Sequence, residues 1–361
     1  MSTISNQIVT AKNCPSIYCK FEMKYPRILL VQTSFLGDTI LSTPVISSLK
    51  TIYPSSEIYM MTTPLSLNLV VRDPLLKGVI SYDKRGDESG FFGLLNIRRR
   101  IRDINFDIAY SLHRSYRTAL LLAMSGIPIR VGFSDADLSF LYTETRKRNL
   151  RQHDVIRNLS ILSSEAPISS LNTDLRLFPP SKEELSPKIR KKFSENFKYA
   201  VLVPGSAWET KMWDYKGFRA VAKHLIDRKI SVVLIGAKSD KIIHNKVAEG
   251  LDILDLAGET TIDEALYIMK NACLAVCNDS MSLHIASAFK IKTVAVFCAT
   301  TPSLGFYPWK NNSILIEKKL SCRPCGLHGG RTCPNNTYAC IKGISHNTVI
   351  DAVERLLNRE Y

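Results

Sequence analysis

The sequence of 361 residues lacks any apolar run that approaches the roughly 20 residues a helix needs to cross a bilayer. Residues 1–24 also lack a continuous apolar stretch, which argues against a secretory signal and favours a cytoplasmic location. A G-x-G-x-x-G turn after a strand and a Walker A run are missing as well. The sequence therefore gives no support to a membrane-spanning protein, a dinucleotide oxidoreductase or a P-loop kinase.

Acidic residues are few relative to basic ones: 33 Asp and Glu stand against 48 Lys and Arg, a formal net charge of +15. Such an excess predicts attraction to an anion, whether nucleic acid, a membrane surface or a phosphorylated substrate. The densest basic cluster is Arg98-Arg99-Arg100 with Arg102. The N-terminal half therefore carries the candidate anion-facing surface, although arginines at helical spacing also occur on faces that are merely solvated.

The chain is longer than one hydrophobic core usually supports, so two domains are expected. In the first half, strand patterns at 27–32, 57–62, 78–82 and 107–112 alternate with helical patterns at about 38–51, after Pro64 and at 92–104. Residues 163–198 are rich in Ser, Pro, Lys and Glu and mark the junction. This βαβ alternation predicts a parallel, doubly wound sheet.

The same alternation restarts after the junction. Strand patterns lie at 199–203, 230–235, 274–277 and 293–297, and helical patterns at 218–228, 240–249, 262–271, 282–289 and 347–359. We predict an α/β protein with two Rossmann-like domains, residues 26–180 and 181–361, that face a central cleft, preceded by an N-terminal extension, residues 1–25.

Asp38 follows the first apolar strand and a turn at Gly37, and it precedes apolar residues at helical spacing. This places its carboxyl group at the carboxyl end of a buried strand, where α/β proteins bind their ligands. A carboxylate there can act as a base, although capping of the helix explains it equally well.

Two further strand-to-helix loops occur in the second half. The loop P-G-S-A-W-E-T-K-M-W, residues 204–213, offers hydroxyl groups, backbone N–H groups and a lysine where a diphosphate could lie, or it is an ordinary capped surface loop. The loop C-N-D-S-M-S-L-H-I-A, residues 277–286, either caps a helix or aims its N-terminus at a phosphate. His284 is either a packed core histidine or a ligand contact.

These segments together resemble glycosyltransferase family 9, the bacterial ADP-heptose:lipopolysaccharide heptosyltransferases. The resemblance covers about residues 26 to 355 and rests on S-F-L-G-D-T-I-L-S-T-P, on the loop at 204–213, on L-A-G-E-T-T-I-D-E-A and on N-D-S-x-x-x-H-I-A-S-A. The stretch G-I-P-I-R-V-G-F, residues 126–133, is most similar to the heptosyltransferase II branch.

The resemblance implies a GT-B fold and an inverting enzyme, with the donor in the C-terminal domain and the acceptor in the N-terminal domain. Asp38 would be the general base. The implied donor-binding residues are Ser206, Thr210, Lys211, Asp240, Asp279, Ser280 and His284. Met281 departs from the family, which commonly has glycine there, and it could reshape the pocket for the donor.

On the acceptor side, Arg98, Arg114 and Arg117 are the candidate binding residues. The implied partners are ADP-heptose, a lipid A-linked inner-core precursor of lipopolysaccharide and an anionic membrane surface, with the enzyme peripheral on the cytoplasmic face of the inner membrane. No nucleic acid is expected. No metal is required for transfer, and Asp135-Ala136-Asp137, which matches the D-x-D metal motif, is interpreted as loop charge.

Four of the nine cysteines lie close together in the sequence, at Cys322, Cys325, Cys333 and Cys340. Their thiolates could form a structural zinc site, although the second pair does not repeat the C-x2-C spacing of the first. Free thiols or a redox-dependent pairing are the alternatives. For the whole chain, the alternatives to a heptosyltransferase are a GT-B enzyme with another sugar nucleotide, including an epimerase, and a basic nucleic-acid-binding protein.

Overall fold

The computed structural model describes residues 25–193 and 197–358. The predicted extension, residues 1–25, lies outside the described residues except for Tyr25, and so does residue 359 of the last predicted helix. Within the described residues no helix is long and apolar enough to cross a membrane.

The first half forms a six-stranded sheet within the described residues, with the strand order β3-β2-β1-β4-β5-β6 and parallel pairing throughout. Its strands are β1 (Arg27–Val31), β2 (Glu57–Thr62), β3 (Leu76–Ser81), β4 (Ile108–Ser111), β5 (Ile129–Phe133) and β6 (Glu144–Arg146). Its helices are α1 (Leu36–Ser42), α2 (Pro44–Ile52), α3 (Pro64–Val70), α4 (Phe91–Ile104), α5 (Tyr116–Met124) and α6 (Asp154–Leu159).

The short helix α7 (Pro187–Arg190) leads into a second six-stranded parallel sheet of the described chain, with the order β12-β11-β10-β7-β8-β9. Its strands are β7 (Tyr199–Val203), β8 (Ser231–Leu234), β9 (Leu254–Asp255), β10 (Leu274–Asn278), β11 (Thr293–Phe297) and β12 (Ser313–Glu317). Its helices are α8 (Tyr215–Asp227), α9 (Lys241–Ala248), α10 (Ile262–Lys270), α11 (Met281–Ala288), α12 (Ala339–Lys342) and α13 (His346–Leu357). The predicted doubly wound α/β class is confirmed.

Successive side chains of the central strands point to opposite faces of each sheet, and this explains how the layers pack. In β1, Ile28 and Leu30 enter one apolar cluster, whereas Leu29 and Val31 enter another on the opposite face of the sheet. Strand β7 divides its side chains between two clusters in the same way. The cluster that receives Ile28 also contains residues of β7, so the two halves share one continuous apolar layer between their sheets.

The sequence predicts one continuous helix where the structure has two. The helix expected at about 38–51 is two helices, α1 and α2, that meet at Thr43. Pro44 causes the break, because it has no N–H group to continue the hydrogen bonds of α1 while its fixed φ suits the first position of α2. The break shortens α1 to two turns beside the strand end. The domain boundary at residue 180 falls between the two sheets and stays a prediction.

Trp213 anchors the end of the loop at 204–213 in the second half. Its ring is 1% exposed, its Nε1 donates to the carbonyl of Ile344 at 3.1 Å, and it packs against Gly217 on α8. A Cβ on Gly217 would lie 2.2 Å from the indole ring. The glycine therefore permits the close approach that fixes this loop.

We predict that Gly217→Ala lowers the free energy of unfolding by about 1–3 kcal/mol, because the overlap with a buried, hydrogen-bonded ring outweighs the roughly 1 kcal/mol that alanine gains over glycine in a helix. Urea denaturation of the two proteins measures the change. Gly90→Ala is the matched control, since an added Cβ there meets nothing within 4 Å. Equal stability of Gly217→Ala and wild type would contradict the prediction.

Candidate active site

Asp38 lies where the sequence places it, at the carboxyl end of β1 in the first turn of α1. Phe35 is the N-cap residue, and its backbone N–H donates to Asp38 Oδ2 at 3.2 Å. The carboxylate therefore does cap the helix, as one of the two interpretations requires. A hydrogen bond from one N–H leaves the carboxylate with further accepting capacity, so capping and proton transfer do not exclude each other.

The surroundings of Asp38 raise its pKa to about 7. Burial is the main cause, since it disfavours the charged form, and the negative charge of Asp154 adds to it. The N–H group of Phe35 and the positive charges of Lys211 and Arg114 act in the opposite direction. A carboxyl group with a pKa near neutrality can accept a proton at physiological pH and hold it, which is the property of a general base.

Asp154 is a site residue that the sequence reasoning missed. It begins α6, where its buried carboxylate accepts a hydrogen bond from Asn158 Nδ2 at 3.1 Å and lies 3.6 Å from Arg157 Nη1. Burial raises the pKa of Asp154 as well. Its proximity to Asp38 comes from the packing of α6 on α1, some 116 residues apart in sequence, and no local pattern indicates it.

The two loops of the second half are tied to each other at the carboxyl edge of its sheet. Asn278, at the end of β10, accepts the N–H of Trp213 at 2.9 Å and donates to the carbonyl of Pro204 at 2.8 Å. One buried amide thus holds both ends of the loop at 204–213. Ser206 lies within this loop, and Thr210 and Lys211 form a short 3-10 turn.

Lys211 and Asp279, predicted on separate loops, meet in the structure. Lys211 Nζ lies 2.8 Å from Asp279 Oδ2, and both side chains are largely buried. Asp279 also accepts the hydroxyl of Thr300 at 2.6 Å. The sequence reasoning brought both residues to the donor but did not anticipate that they neutralise each other when no ligand is bound.

Asp240 and Ser280, also predicted to bind the donor, lie at the two loops. Asp240 Oδ2 accepts the N–H of Ala237 at 2.9 Å, and a Cβ on Gly205 would lie 2.4 Å from the Asp240 carboxyl carbon, so this acid sits against the loop after β7. Ser280 precedes α11, and its hydroxyl shares a 2.7 Å hydrogen bond with that of Ser282.

Met281 is the first residue of α11, and its side chain packs against the central apolar cluster. Its backbone is helical and requires no positive φ, so the methionine fits without the glycine that the resemblance led us to expect.

His284 joins the two halves. Its ring lies on α11, and a Cβ on Gly37 would be 3.1 Å from His284 Cδ2, so the imidazole packs directly on the first turn of α1. The ring is buried, and within the described residues its Nδ1 has no hydrogen-bond partner. Burial lowers its pKa to about 4, so it is a neutral ring at pH 7. The ring is packed against α1, and its unpartnered Nδ1 leaves contact with a ligand open, so the donor-binding role of His284 stays a prediction.

Of the three arginines predicted to bind the acceptor, Arg114 is one whose charge lowers the pKa of Asp38. Arg114 Nη1 lies 3.1 Å from Asp135 Oδ2, which also binds Arg148, so Asp135 is a partner in ion pairs, consistent with loop charge. Arg117 donates to three backbone carbonyls. Arg98 donates to the carbonyl of Met124 and lines a surface hollow on α4.

A second group of cations near Arg117 was missed: Lys84 and Arg85, beside the neutral ring of His113. Lys84 Nζ lies 3.2 Å from His113 Nε2, and burial together with the charges of Arg85 and Arg117 lowers the pKa of Lys84 to about 8. Burial and then Lys84 lower the pKa of His113 to about 3. In the described part of the chain, Lys84, Arg85 and Arg117 form no salt bridge to a carboxylate. Like charges crowded in this way favour the binding of an anion.

The predicted zinc site is not supported. In the described residues no group of three or more His, Cys, Asp or Glu side chains is arranged to hold a metal ion, and the four cysteines are free thiols. Cys340 is buried in α12 against the outer apolar cluster of the second sheet, and Cys322 is exposed in the preceding loop.

Comparison with known proteins identifies relatives over most of the chain. The model of glycosyltransferase family 9 (heptosyltransferase) matches residues 94–338. The chain is 23% identical over 337 residues to lipooligosaccharide heptosyltransferase 2 of Campylobacter jejuni. The alignment covers 91% of this chain and 99% of that protein.

Two solved structures share the fold. E. coli ADP-heptose lps heptosyltransferase II superposes with a TM-score of 0.76 at 22% identity, over 92% of this chain and 98% of that one. E. coli heptosyltransferase WaaC with ADP-2-deoxy-2-fluoro heptose superposes with a TM-score of 0.69 at 16% identity, over 91% of this chain and 99% of that one. The predicted GT-B architecture is thereby confirmed.

We predict that Asp154→Asn lowers the pKa of Asp38, because it removes a negative charge that favours the protonated form. Arg114→Gln removes a positive charge that favours the ionised form, so it should raise the pKa of Asp38. Both shifts are measured by NMR titration of carboxyl-labelled aspartate, with Asp38→Asn to identify the Asp38 signal and thermal unfolding to check the fold. Midpoints that stay unchanged, or that move in the same direction, would show that these charges do not act on Asp38.

Proposed function

We propose, from the premise that the chain belongs to glycosyltransferase family 9 (heptosyltransferase), that it transfers heptose from ADP-heptose to the inner core of lipopolysaccharide. The named activity of the Campylobacter jejuni relative and the ADP-heptose analogue in the solved WaaC structure support this donor and this acceptor class. The observation that carries the proposal is an aspartate of near-neutral pKa at a strand end, within electrostatic reach of a buried lysine on the loop of the other sheet.

In the proposed reaction Asp38 removes the proton from an acceptor hydroxyl as its oxygen attacks the anomeric carbon of the heptose. The bond between that carbon and the diphosphate oxygen breaks in the same displacement, so the configuration inverts and ADP leaves with the electron pair. The proton stays on Asp38 until it passes to solvent. Burial of Asp38 suits this role, because it makes the carboxylate a stronger base than in water.

On the donor side Lys211 offsets the charge that develops on the departing ADP. Its pairing with Asp279 means that the diphosphate must share the ammonium group with a resident carboxylate. Thr210 would shape the loop, because its hydroxyl and its N–H are both hydrogen-bonded to Gly330. Ser206, Asp240 and Ser280 complete the proposed donor set. Positive side chains of the protein offset the charge on the departing ADP, so the proposed reaction needs no metal.

The Asp38→Asn variant should lose about 10²- to 10⁴-fold in transfer rate, the usual contribution of a general base. For wild type, kcat/KM should fall tenfold per pH unit below about 7 and level off above it, because only the ionised Asp38 accepts a proton. Transfer is measured with ADP-heptose and purified acceptor over pH 5 to 9.

The control for this test is Asp252→Asn, which changes an exposed acid of the second half and should keep the wild-type rate. Stabilisation of Asp38→Asn by ADP shows that the donor site is intact. Wild-type transfer by Asp38→Asn would remove Asp38 from the mechanism.

On the acceptor side the crowded cations near Asp38 would hold an anionic core oligosaccharide. Arg114 lowers the pKa of Asp38 and is therefore near it, and Arg117 bonds to the carbonyl of Lys84, which links it to Lys84 and His113. An acceptor oxyanion would reduce the repulsion that Arg85 and Arg117 exert on Lys84, and this favours its binding.

The proposed location is the cytoplasmic face of the inner membrane, which the enzyme would contact through a rim of exposed aromatic rings. Phe91, Phe92 and Phe140 are 64%, 80% and 78% exposed. Phe91 and Phe92 begin α4, and α4 also carries Arg98 and its neighbouring arginines along a surface hollow. Exposed apolar rings beside cations fit an anionic bilayer, where the rings enter the interface and the cations meet headgroups.

Substituting Phe92 and Phe140 together by serine should weaken binding to vesicles that contain anionic lipid by about tenfold or more, because two large rings no longer leave water. Binding is measured by vesicle sedimentation, and it should decrease with salt for both proteins. Ile242→Ser is the control, since Ile242 is similarly exposed, at 73%, but lies on α9 of the second half. An equal loss in the control would refute this face as the membrane contact.

A further inference from the structure

The cysteine-rich segment lies against the proposed donor site. We call residues Cys322–Cys333 the strap. Gly330 accepts hydrogen bonds from the N–H and the hydroxyl of Thr210, at 3.1 and 2.9 Å, and its own N–H lies 2.8 Å from that hydroxyl. The N–H of Cys325 donates to the carbonyl of Ala299, whose own N–H bonds to the carbonyl of Thr210. The strap, the loop at 204–213 and the segment after β11 are therefore one hydrogen-bonded unit.

His328 is the side chain of the strap that reaches the cleft. Its ring stands edge-on to that of Phe35, with centroids 5.6 Å apart. Phe35 belongs to the other half and is the N-cap of α1, whose N–H binds Asp38. Burial and the charge of Lys211 lower the pKa of His328, and Asp279 acts in the opposite direction. His328 thus lies within electrostatic reach of the Lys211–Asp279 pair and in contact with the residue that caps α1.

Two of the groups predicted to bind the diphosphate in the loop at 204–213 already have partners within the protein. The hydroxyl and N–H of Thr210 are bonded to Gly330, and the ammonium group of Lys211 is shared with Asp279. A diphosphate has many acceptor oxygens, and each one that loses water without gaining a donor costs free energy. The imidazole N–H of His328 is a donor positioned on the same unit.

We propose that the strap completes the donor site and that His328 donates a hydrogen bond to the diphosphate of the nucleotide sugar. This inference rests on the proposed function, since it assumes that a nucleoside diphosphate binds beside Lys211. It gives the cysteine-rich segment a role that does not depend on a metal: the segment holds Gly329 and Gly330 against Thr210, and His328 over the cleft.

The first experiment compares the affinity of ADP with that of adenosine, by calorimetry, for wild type, His328→Ala and His328→Gln. His328→Ala should bind ADP about tenfold or more weakly, because hydrogen bonds to charged groups are the strong ones, while its affinity for adenosine stays unchanged. His328→Gln retains an N–H donor and should recover part of the loss. In transfer assays the alanine variant should raise KM for the donor more than it lowers kcat.

Leu327→Ala is the matched control for His328→Ala. Leu327 is the neighbouring strap residue and is 63% exposed, so its truncation should leave the affinity for ADP unchanged. An equal loss in both variants would mean that any change in the strap disturbs the site, and the specific contact of His328 would be refuted.

The second experiment tests the seating of the strap with two glycines of the same backbone conformation. Gly329 and Gly326 have φ of +74° and +78°, so alanine strains both equally. A Cβ at Gly329 would lie 2.9 Å from Thr210 Oγ1, whereas one at Gly326 meets nothing within 4 Å. Gly329→Ala should therefore weaken ADP binding more than Gly326→Ala does.

The outcomes separate this inference from the proposed function. If wild type binds neither ADP nor ADP-heptose, the proposed function fails and the inference falls with it. If wild type binds ADP and His328→Ala binds it equally well, with equal unfolding temperatures, the proposed function stands and the role of His328 is overturned.

Discussion

The close packing of α1 on α11 is the contact on which the rest of the site depends. Gly37 has no side chain, and the ring of His284 occupies the space that a Cβ would need. This approach brings the first turn of α1, with Asp38, to the edge of the second sheet, where Lys211 and Asp279 meet. A larger residue at position 37 would separate the proposed base from the loop that is proposed to hold the leaving group.

Charge near the cleft is arranged in opposing pairs that are incompletely balanced. Asp38 and Asp154 raise each other's cost of ionisation, while Lys211 and Arg114 reduce it for Asp38. The result is a carboxyl group that titrates near neutrality and is not locked in either form. On the proposed acceptor face the imbalance has the opposite sign, because Lys84, Arg85 and Arg117 lie together without a salt bridge to a carboxylate among the described residues. An anionic substrate would neutralise these positive charges. Part of the net charge of +15 is thereby explained.

Elements governed by local pattern could be predicted from the sequence, and contacts made by packing could not. The apolar run of β1 and the helical spacing after it were enough to place Asp38, because a buried parallel strand and an amphipathic helix have different periods. The turn predicted at Gly37 is wrong, since Gly37 already lies in α1. The strand β9 has two residues and β6 has three, too few for any period to show. Asp154 and His328 reach the site through the packing of distant segments. The burial of Cys340 against the core is likewise not evident from the spacing of the four cysteines.

The contacts between the halves differ in strength from one side of the cleft to the other. Along the shared apolar layer, His153 stacks on Trp309 with centroids 4.4 Å apart and bonds to the carbonyl of Tyr307, and Trp309 Nε1 donates to the carbonyl of Thr173 at 2.7 Å. Separating the halves there would expose apolar surface and break these bonds together, which is costly. Parting His328 from Phe35 breaks one ring contact. The contact between His328 and Phe35 is therefore the weaker of these two links, and it lies where the proposed donor site faces Asp38.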